Sequence, residues 1–133
     1  MLAENSECAK LLKYEGGQYF DVHVDALLEI PTYDDEIVKS AQRLFTGLCY
    51  LKDVDGEGQT AFPNLKIAVK PKLGRVLVFS NIIPGKDEPH PDSTHAGFSA
   101  SSEVRCVLSV WWRKRNFHIP RTFPSTEIEY ALF

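Results

Sequence analysis

Two histidines and an aspartate have the residue types and the spacing to bind a metal ion. His23 and Asp25 lie two positions apart at the end of an alternating stretch, Tyr19–Val24. Side chains two apart in a strand point to the same side, so an imidazole and a carboxylate can converge on one ion. Together with a second histidine they would form the facial triad that suits non-haem Fe(II) and leaves coordination positions open. The pattern therefore indicates iron-dependent oxygen chemistry.

The H-x-D spacing is a weak signal by itself, because the sequence contains a second copy, His90-Pro91-Asp92. That copy lies among prolines, one of them between the two candidate ligands, and no strand pattern surrounds it, which is typical of a surface loop. The third ligand must come from elsewhere in the chain. His95 precedes two small residues that allow close approach, whereas its competitor His118 lies in a polar, proline-containing tail. We therefore expect His95 to complete the triad.

A single arginine interrupts the longest apolar stretch of the sequence. Arg105 lies between Val104 and the apolar residues 106–108. A buried guanidinium needs a partner, since an unpaired buried charge costs several kcal/mol. The carboxylate of a ligand would satisfy it through two parallel hydrogen bonds. An internal Asp or Glu, or an outward-facing edge position, are the alternatives.

The elements that would position these residues are short and predominantly extended. Apolar stretches rich in β-branched and aromatic residues are broken by Gly, Pro, Asn and Asp, which predicts an all-β sandwich or barrel. The predicted strands are Ala9–Tyr14, Tyr19–Val24, Leu44–Leu51, Thr60–Phe62, Lys66–Lys70, Arg75–Phe79 and Val104–Trp112. Two stretches are predicted to be loops, Glu29–Arg43 with one helical turn and Pro84–Thr94. Long loops in a small β-domain often serve as lids or binding loops.

Size and composition narrow the class of protein. The 133 residues predict one domain over residues 1–133, and the net charge of −3 without a basic patch argues against a nucleic-acid partner. No apolar stretch reaches the roughly 20 residues of a membrane span. The N-terminus lacks the apolar core of a secretory signal. Three widely spaced cysteines indicate neither a zinc site nor a disulfide framework, and these features favour a reducing, cytoplasmic compartment.

The chain resembles the catalytic core of the prolyl 4-hydroxylase-type iron(II)/2-oxoglutarate dioxygenases. The similarity lies in four stretches whose order and spacing match, and which with the strand to Trp112 cover most of residues 10–113: Leu12–Asp25, Tyr50–Asn64, Val69–Phe79 and Ser93–Ser99. The resemblance implies a mainly β fold, the double-stranded β-helix of the jelly-roll and cupin type, with few short helices. In that fold two sheets are rolled face to face, and the metal lies at the open end.

The resemblance also implies roles for individual residues. His23, Asp25 and His95 fall where the family's iron ligands fall. Arg105, ten positions after the last of these, falls where a basic residue binds the far carboxylate of 2-oxoglutarate. Most prolyl 4-hydroxylases have lysine there, so arginine is a departure that keeps the charge and adds a planar fork.

Three further positions gain roles from the resemblance. Tyr14, nine positions before the first histidine, falls where a tyrosine hydrogen-bonds the same carboxylate. Thr60 falls where a threonine lines the cosubstrate pocket. Trp111 matches a tryptophan near the substrate-facing end of the last strand, although packing within the sheet explains it equally well.

The implied reaction is hydroxylation of a peptidyl proline at C4. It would consume dioxygen and 2-oxoglutarate, release succinate and carbon dioxide, and depend on ascorbate to restore oxidised iron. The alternatives are the same chemistry on another side chain, a free amino acid or a small molecule, or a non-catalytic binding domain that has kept the fold, against which the intact triad argues. A zinc hydrolase fits less well, because Arg105 and Tyr14 would then have no role.

Two regions outside these motifs, a loop and the N-terminal region, bear on substrate recognition. The loop Glu29–Arg43 falls where such enzymes have a mobile segment over the substrate groove, and its acidic residues favour a basic peptide; an ordinary solvated loop is the alternative. Catalytic cores of the family begin well upstream of the position of Tyr14, which only 13 residues precede here. We therefore expect a shortened, truncated N-terminal region.

Overall fold

The structure, a computed structural model, describes residues 3–28, 41–98 and 103–117. Its eight strands are β1 (Lys10–Tyr14), β2 (Phe20–His23), β3 (Arg43–Tyr50), β4 (Thr60–Phe62), β5 (Ile67–Val69), β6 (Val76–Ser80), β7 (His95–Gly97) and β8 (Arg105–Arg113). Two short 3-10 helices accompany them, Ala3–Asn5 and Pro91–Ser93.

The strands form two antiparallel sheets of four strands each. The first sheet has the order β1-β8-β3-β6, and the second has the order β2-β7-β4-β5. The core lies between them: Leu48, Tyr50 and Val107 of the first sheet are buried, and Val69 of the second sheet packs against them. This arrangement confirms the predicted double-stranded β-helix.

Strand β8 points every second side chain into the interior of the sandwich. Successive residues of a strand point to opposite faces, and on β8 every second residue is buried, namely Arg105, Val107, Ser109 and Trp111. Only one of these four is aliphatic. The inner face of β8 therefore carries polar groups into the space between the sheets, and Arg105 does not face outward at an edge, which was one alternative for it.

All seven predicted strands are confirmed with bounds that differ by at most one residue, but β7 was missed. It has only three residues, all buried, and two of them are small, so no alternation marks it in the sequence. β7 lies between β2 and β4, where His95 is the direct partner of His23. Of the predicted loop 29–43, residues 29–40 lie outside the described part of the chain, as does His118.

Two smaller expectations concern the helices and the cysteines. None of the helices in the described ranges is long and apolar enough to cross a membrane. Cys8, Cys49 and Cys106 are free thiols. Cys49 and Cys106 are only partly buried, because both alternate onto the outer face of the first sheet.

Candidate metal centre and adjoining cavity

His23, Asp25 and His95 come together at one end of the sandwich. Each offers one ligand atom, and these three atoms lie within 4.8 Å of one another. Nε2 of His23 is 3.4 Å from Oδ1 of Asp25, and Nε2 of His95 is 3.7 Å from Oδ2. In residues 3–28, 41–98 and 103–117 no other group of three or more such side chains has this geometry. His90 and Asp92 of the second H-x-D copy do not take part.

The local path of the chain differs from the predicted one at Asp25. Strand β2 ends at His23, and Asp25 lies in a bend two residues later. The expectation that strand alternation aligns the two side chains is therefore wrong in detail, because strand pairing stops at the His23–His95 pair. The bend turns the carboxylate towards the two imidazoles, which are cross-strand neighbours with ring centroids 4.2 Å apart.

Both imidazoles are held with Nε2 towards the carboxylate. Nδ1 of His23 lies 2.6 Å from the carbonyl oxygen of Asp21, and Nδ1 of His95 lies 2.8 Å from that of Ser93. A carbonyl only accepts, so each Nδ1 carries the proton and each Nε2 presents a lone pair. This is the orientation in which metal-binding histidines are normally fixed. The donor set of two imidazoles and one carboxylate therefore fits Fe(II).

The pKa values of Asp25 and His95 are shifted in the direction that favours metal binding. Burial by itself would raise the pKa of Asp25, but hydrogen bonds with His23 and Thr46 and the charge of His95 lower it to about 2. Burial lowers the pKa of His95, which favours the neutral ring. Hydrogen bonds with Asp25 and Asp21 outweigh burial and raise the pKa of His23.

A cavity of about 410 Å³ extends from this group into the sandwich. All seven side chains that the sequence singled out line it, namely Tyr14, His23, Asp25, Thr60, His95, Arg105 and Trp111. The three candidate ligands thus share one space with the residues expected to bind a cosubstrate and a substrate.

Arg105 is a buried cation whose partners are neutral. It is 3% exposed, and its Nη2 donates to Oγ1 of Thr60 at 2.7 Å. No Asp or Glu within the described ranges pairs with it, and its Nε, also buried, has no hydrogen-bond partner. Burial lowers the pKa of Arg105. Since an internal ion pair is not seen there, a carboxylate entering the cavity would meet an unneutralised guanidinium.

Tyr14 and Thr60 surround that guanidinium with further polar groups. Tyr14 is the cross-strand partner of Arg105, whose guanidinium carbon lies 5.1 Å from the centre of the Tyr14 ring. Oγ1 of Thr60 accepts hydrogen bonds from both Arg105 and the Tyr50 hydroxyl, each at 2.7 Å. With both lone pairs used, the Thr60 hydroxyl proton remains for an acceptor in the cavity. The pocket around Arg105 is therefore built from donors.

Trp111 lies at the metal end of the cavity. The Arg43 guanidinium carbon is 4.4 Å from the centre of its ring, and Nζ of Lys10 is 5.3 Å from it. The indole lies close enough to Asp25 to lower its pKa further, although Nε1 makes no hydrogen bond of ordinary geometry. Trp111 thus borders the candidate ligands as well as the sheet interior.

Several residues of the site were not found from the sequence. Arg43 lies at the end of a predicted loop, yet it begins β3 and lines the cavity. Ser109 lines it too, and its buried Oγ has no hydrogen-bond partner in the part of the chain that the structure describes. Ser109 could have been found, because it lies four positions after Arg105 on one strand and therefore on the same face. Thr46 and Asn81, which support Asp25, carry no sequence signal.

Comparison with known proteins agrees with this geometry. The family model described as the 2OG-Fe(II) oxygenase superfamily matches residues 9–113. The chain belongs to this superfamily. A protein of Acanthamoeba polyphaga mimivirus, named as a prolyl 4-hydroxylase, is 33% identical over 115 residues, which are 86% of this chain and 48% of that protein. Prolyl 4-hydroxylase 2 of Arabidopsis thaliana is 32% identical over 129 residues, 81% of this chain and 42% of that protein.

Two solved structures are also similar to this chain. The viral collagen prolyl hydroxylase vCPH of Paramecium bursaria Chlorella virus-1, in its 2OG complex, has a TM-score of 0.69 and 32% identity, covering 82% of this chain and 59% of that chain. A Pseudomonas putida prolyl-4-hydroxylase, 21% identical with a TM-score of 0.53, shares the fold. The chain spans about half the length of the curated relatives it matches.

Proposed function

We propose that this chain is an Fe(II)- and 2-oxoglutarate-dependent dioxygenase that hydroxylates a proline in a peptide or protein, releasing succinate and carbon dioxide. One observation carries the proposal: a single cavity joins a histidine–aspartate–histidine group to a buried guanidinium that has no anionic partner among the described residues. A dicarboxylate that chelates a metal at one end and pairs with an arginine at the other matches both features.

In this proposal Nε2 of His23, a carboxylate oxygen of Asp25 and Nε2 of His95 hold the iron. Bound Fe(II) supplies the redox chemistry that activates dioxygen. The histidines contribute rings already oriented by the carbonyl groups of Asp21 and Ser93, so little conformational entropy is lost on binding. Asp25 contributes a carboxylate that remains ionised across the physiological pH range.

Arg105, Thr60 and Tyr14 would hold the far carboxylate of 2-oxoglutarate. Arg105 brings the charge and an unused Nε–H, and Thr60 brings a hydroxyl proton that no residue of the described ranges accepts. Burial strengthens such charge-assisted hydrogen bonds, because water cannot screen them. Ser109, whose buried hydroxyl lies on the same strand face and has no hydrogen-bond partner among the described residues, is a further donor towards this ligand.

The proline substrate is supported by the names of the relatives and by the position of Trp111. A flat indole bordering Asp25 offers a surface on which a proline ring can pack close to the metal. The loop 29–43 is predicted to lie over the substrate groove and to favour a basic peptide. Both points stay predictions, since residues 29–40 lie outside the described part. Ascorbate is proposed as the reductant that restores oxidised iron.

The proposal is tested by assaying the purified chain with Fe(II), 2-oxoglutarate, ascorbate and proline-containing peptides. We expect succinate in proportion to peptide and a product heavier by one oxygen atom, which fragmentation assigns to a proline ring. His23→Ala is the matched control and should yield neither. Equal succinate from wild type and His23→Ala would overturn the metal assignment. Oxygen found on another residue or on a small molecule would keep the chemistry and overturn the proline substrate.

A further inference from the structure

Asn81 lies at the point where the supports of two candidate metal ligands meet. It follows β6 directly, its side chain is 0% exposed, and its backbone N–H donates to the carbonyl oxygen of Leu44 at 2.8 Å. Its hydrogen bonds within the described ranges go to other residues than the three candidate ligands. It reaches two of them through one intervening residue or turn.

The first connection runs through Thr46 to Asp25. Oγ1 of Thr46 lies 2.7 Å from Oδ2 of Asp25, and Nδ2 of Asn81 lies 2.9 Å from Oγ1 of Thr46. Oδ1 of Asn81 is also within 3.1 Å of that hydroxyl. Of these two acceptors Oδ2 of Asp25 is the closer, and a hydroxyl has one proton, so the proton of Thr46 goes to Asp25.

This assignment determines what Asn81 must do. With its proton directed to Asp25, the Thr46 hydroxyl can only accept from Asn81, and the amide NH₂ is the donor that it meets. An acceptor at position 81 would instead compete with Asp25 for the same proton. The chain Asn81–Thr46–Asp25 is therefore directional, and it fixes the orientation of the Asp25 carboxylate through Oδ2.

The second connection runs through the backbone to His95. The carbonyl oxygen of Asn81 accepts from the N–H of His90 at 2.9 Å, and Oγ of Ser93 lies 3.5 Å from it. His90 is the N-cap of the 3-10 helix Pro91–Ser93. The carbonyl oxygen of Ser93 then fixes Nδ1 of His95 at 2.8 Å. One residue thus supports the carboxylate and the distal imidazole together.

We propose that Asn81, acting through Thr46 and through the 90–93 turn, is a positioning residue that sets the metal affinity of the site. This inference rests on the proposed function, since it takes His23, Asp25 and His95 as metal ligands. Hydrogen-bond partners of metal ligands contribute about ten- to hundredfold in metal affinity. An amide donor at position 81 and a hydroxyl at position 46 are the two requirements.

The test is the affinity of the chain for Co(II), an ion that accepts the same ligands as Fe(II), measured from its visible absorption. Asn81→Asp replaces the donor by an acceptor of the same size, and Thr46→Val removes the hydroxyl at nearly constant volume. We expect each to weaken Co(II) binding about ten- to hundredfold and to alter the shape of the absorption band. Thr46→Ser keeps the hydroxyl and should bind like wild type. Asn116→Asp makes the same change at an exposed position and should also bind like wild type.

Each outcome bears on a different claim. Wild-type affinity in both Asn81→Asp and Thr46→Val would overturn the positioning role and leave the proposed function standing. Absence of Co(II) binding in the wild type would overturn the metal site and this inference together. If a buried carboxylate prevents Asn81→Asp from folding, as judged by circular dichroism, the comparison of Thr46→Val with Thr46→Ser decides. Equal weakening in Thr46→Ser and Thr46→Val would also overturn the requirement for the hydroxyl.

Discussion

The hydrogen bond from Nη2 of Arg105 to Oγ1 of Thr60, 2.7 Å long, crosses the interior from one sheet to the other. Arg105 begins β8 in the first sheet, and Thr60 begins β4 in the second. Within the described ranges the hydrogen-bond partners of this buried cation are neutral and its Nε has none, so the sandwich holds an unneutralised charge between its sheets. That arrangement is costly for a folded chain without a ligand and favourable for one that binds an anion.

Replacing Arg105 tests this relationship. We expect Arg105→Ala to raise the KM for 2-oxoglutarate about a hundredfold or more, because a buried charge-assisted contact is lost. Arg105→Lys keeps the charge and should retain much of the affinity. Co(II) affinity should be unchanged in both variants, which separates the cosubstrate site from the metal site. A KM for 2-oxoglutarate that is unchanged in Arg105→Ala would contradict the assigned role.

Gly97 provides the space in which the Arg105 guanidinium lies. A Cβ at position 97 would come within 2.7 Å of Nη1 of Arg105. Gly97→Ala must therefore displace the guanidinium, and we expect a KM for 2-oxoglutarate raised about tenfold, in line with the cost of overfilling a packed site. Gly56→Ala is the control, since its Cβ would meet nothing within 4 Å. Equal KM values in the two variants would show that the close approach is unimportant.

The two H-x-D copies allow a matched test of the metal site by thermal unfolding. A metal ion that binds only the folded chain stabilises it by about 2.7 kcal/mol at a concentration a hundred times its Kd. We expect Co(II) to raise the Tm of the wild type and of Asp92→Asn. Asp25→Asn should lose the increase, because it removes the central carboxylate of the group. If Co(II) no longer raised the Tm of Asp92→Asn but still raised that of Asp25→Asn, the metal site would lie at the second H-x-D copy.

The folded chain should lose stability at acidic pH because Glu7 becomes protonated. Burial alone would raise the pKa of Glu7, but hydrogen bonds and charge from Arg43 and Arg113 lower it below 4.5. A lowered folded pKa means that the stabilisation is fully present above the unfolded pKa, near 4.5. It is lost as pH falls through the folded pKa. We expect the free energy of unfolding to fall in that window.

Glu7→Gln should remove this acid-dependent part of the stability and cost about 3 kcal/mol near neutral pH, because two arginines lose a buried partner. Denaturant unfolding measured from pH 3 to pH 7 checks both effects. Glu15→Gln, which changes an exposed carboxylate paired with Lys13, should leave the pH profile nearly as in wild type. An identical pH dependence in Glu7→Gln and wild type would exclude Glu7 as its source.

Much of this site could be predicted because its residues have recognisable types and spacings within short stretches of sequence. His23 and Asp25 are two positions apart, and Arg105 is a charge inside an apolar strand. Strand alternation alone would then have located Ser109. The resemblance to dioxygenase motifs supplied the remaining roles, among them those of Tyr14 and Thr60.

The residues that hold the candidate ligands in place could not be predicted, because their roles depend on contacts between distant parts of the chain. Thr46 and Asn81 are 35 positions apart and have ordinary residue types for their surroundings. The bend at Asp25 follows the point where β2 stops pairing with β7, a strand more than 70 positions further along the chain. β7 itself is too short to show a period.

Strand β7 has three residues, and two of them serve different ligands. His95 faces the metal group, and Gly97, two positions on, makes room for the guanidinium at the cosubstrate end. A shift of one residue turns every side chain of a strand to the opposite face. Insertion or deletion of one residue here would therefore disable both ends of the cavity in a single event. In homologous genes this tripeptide should accordingly keep its length.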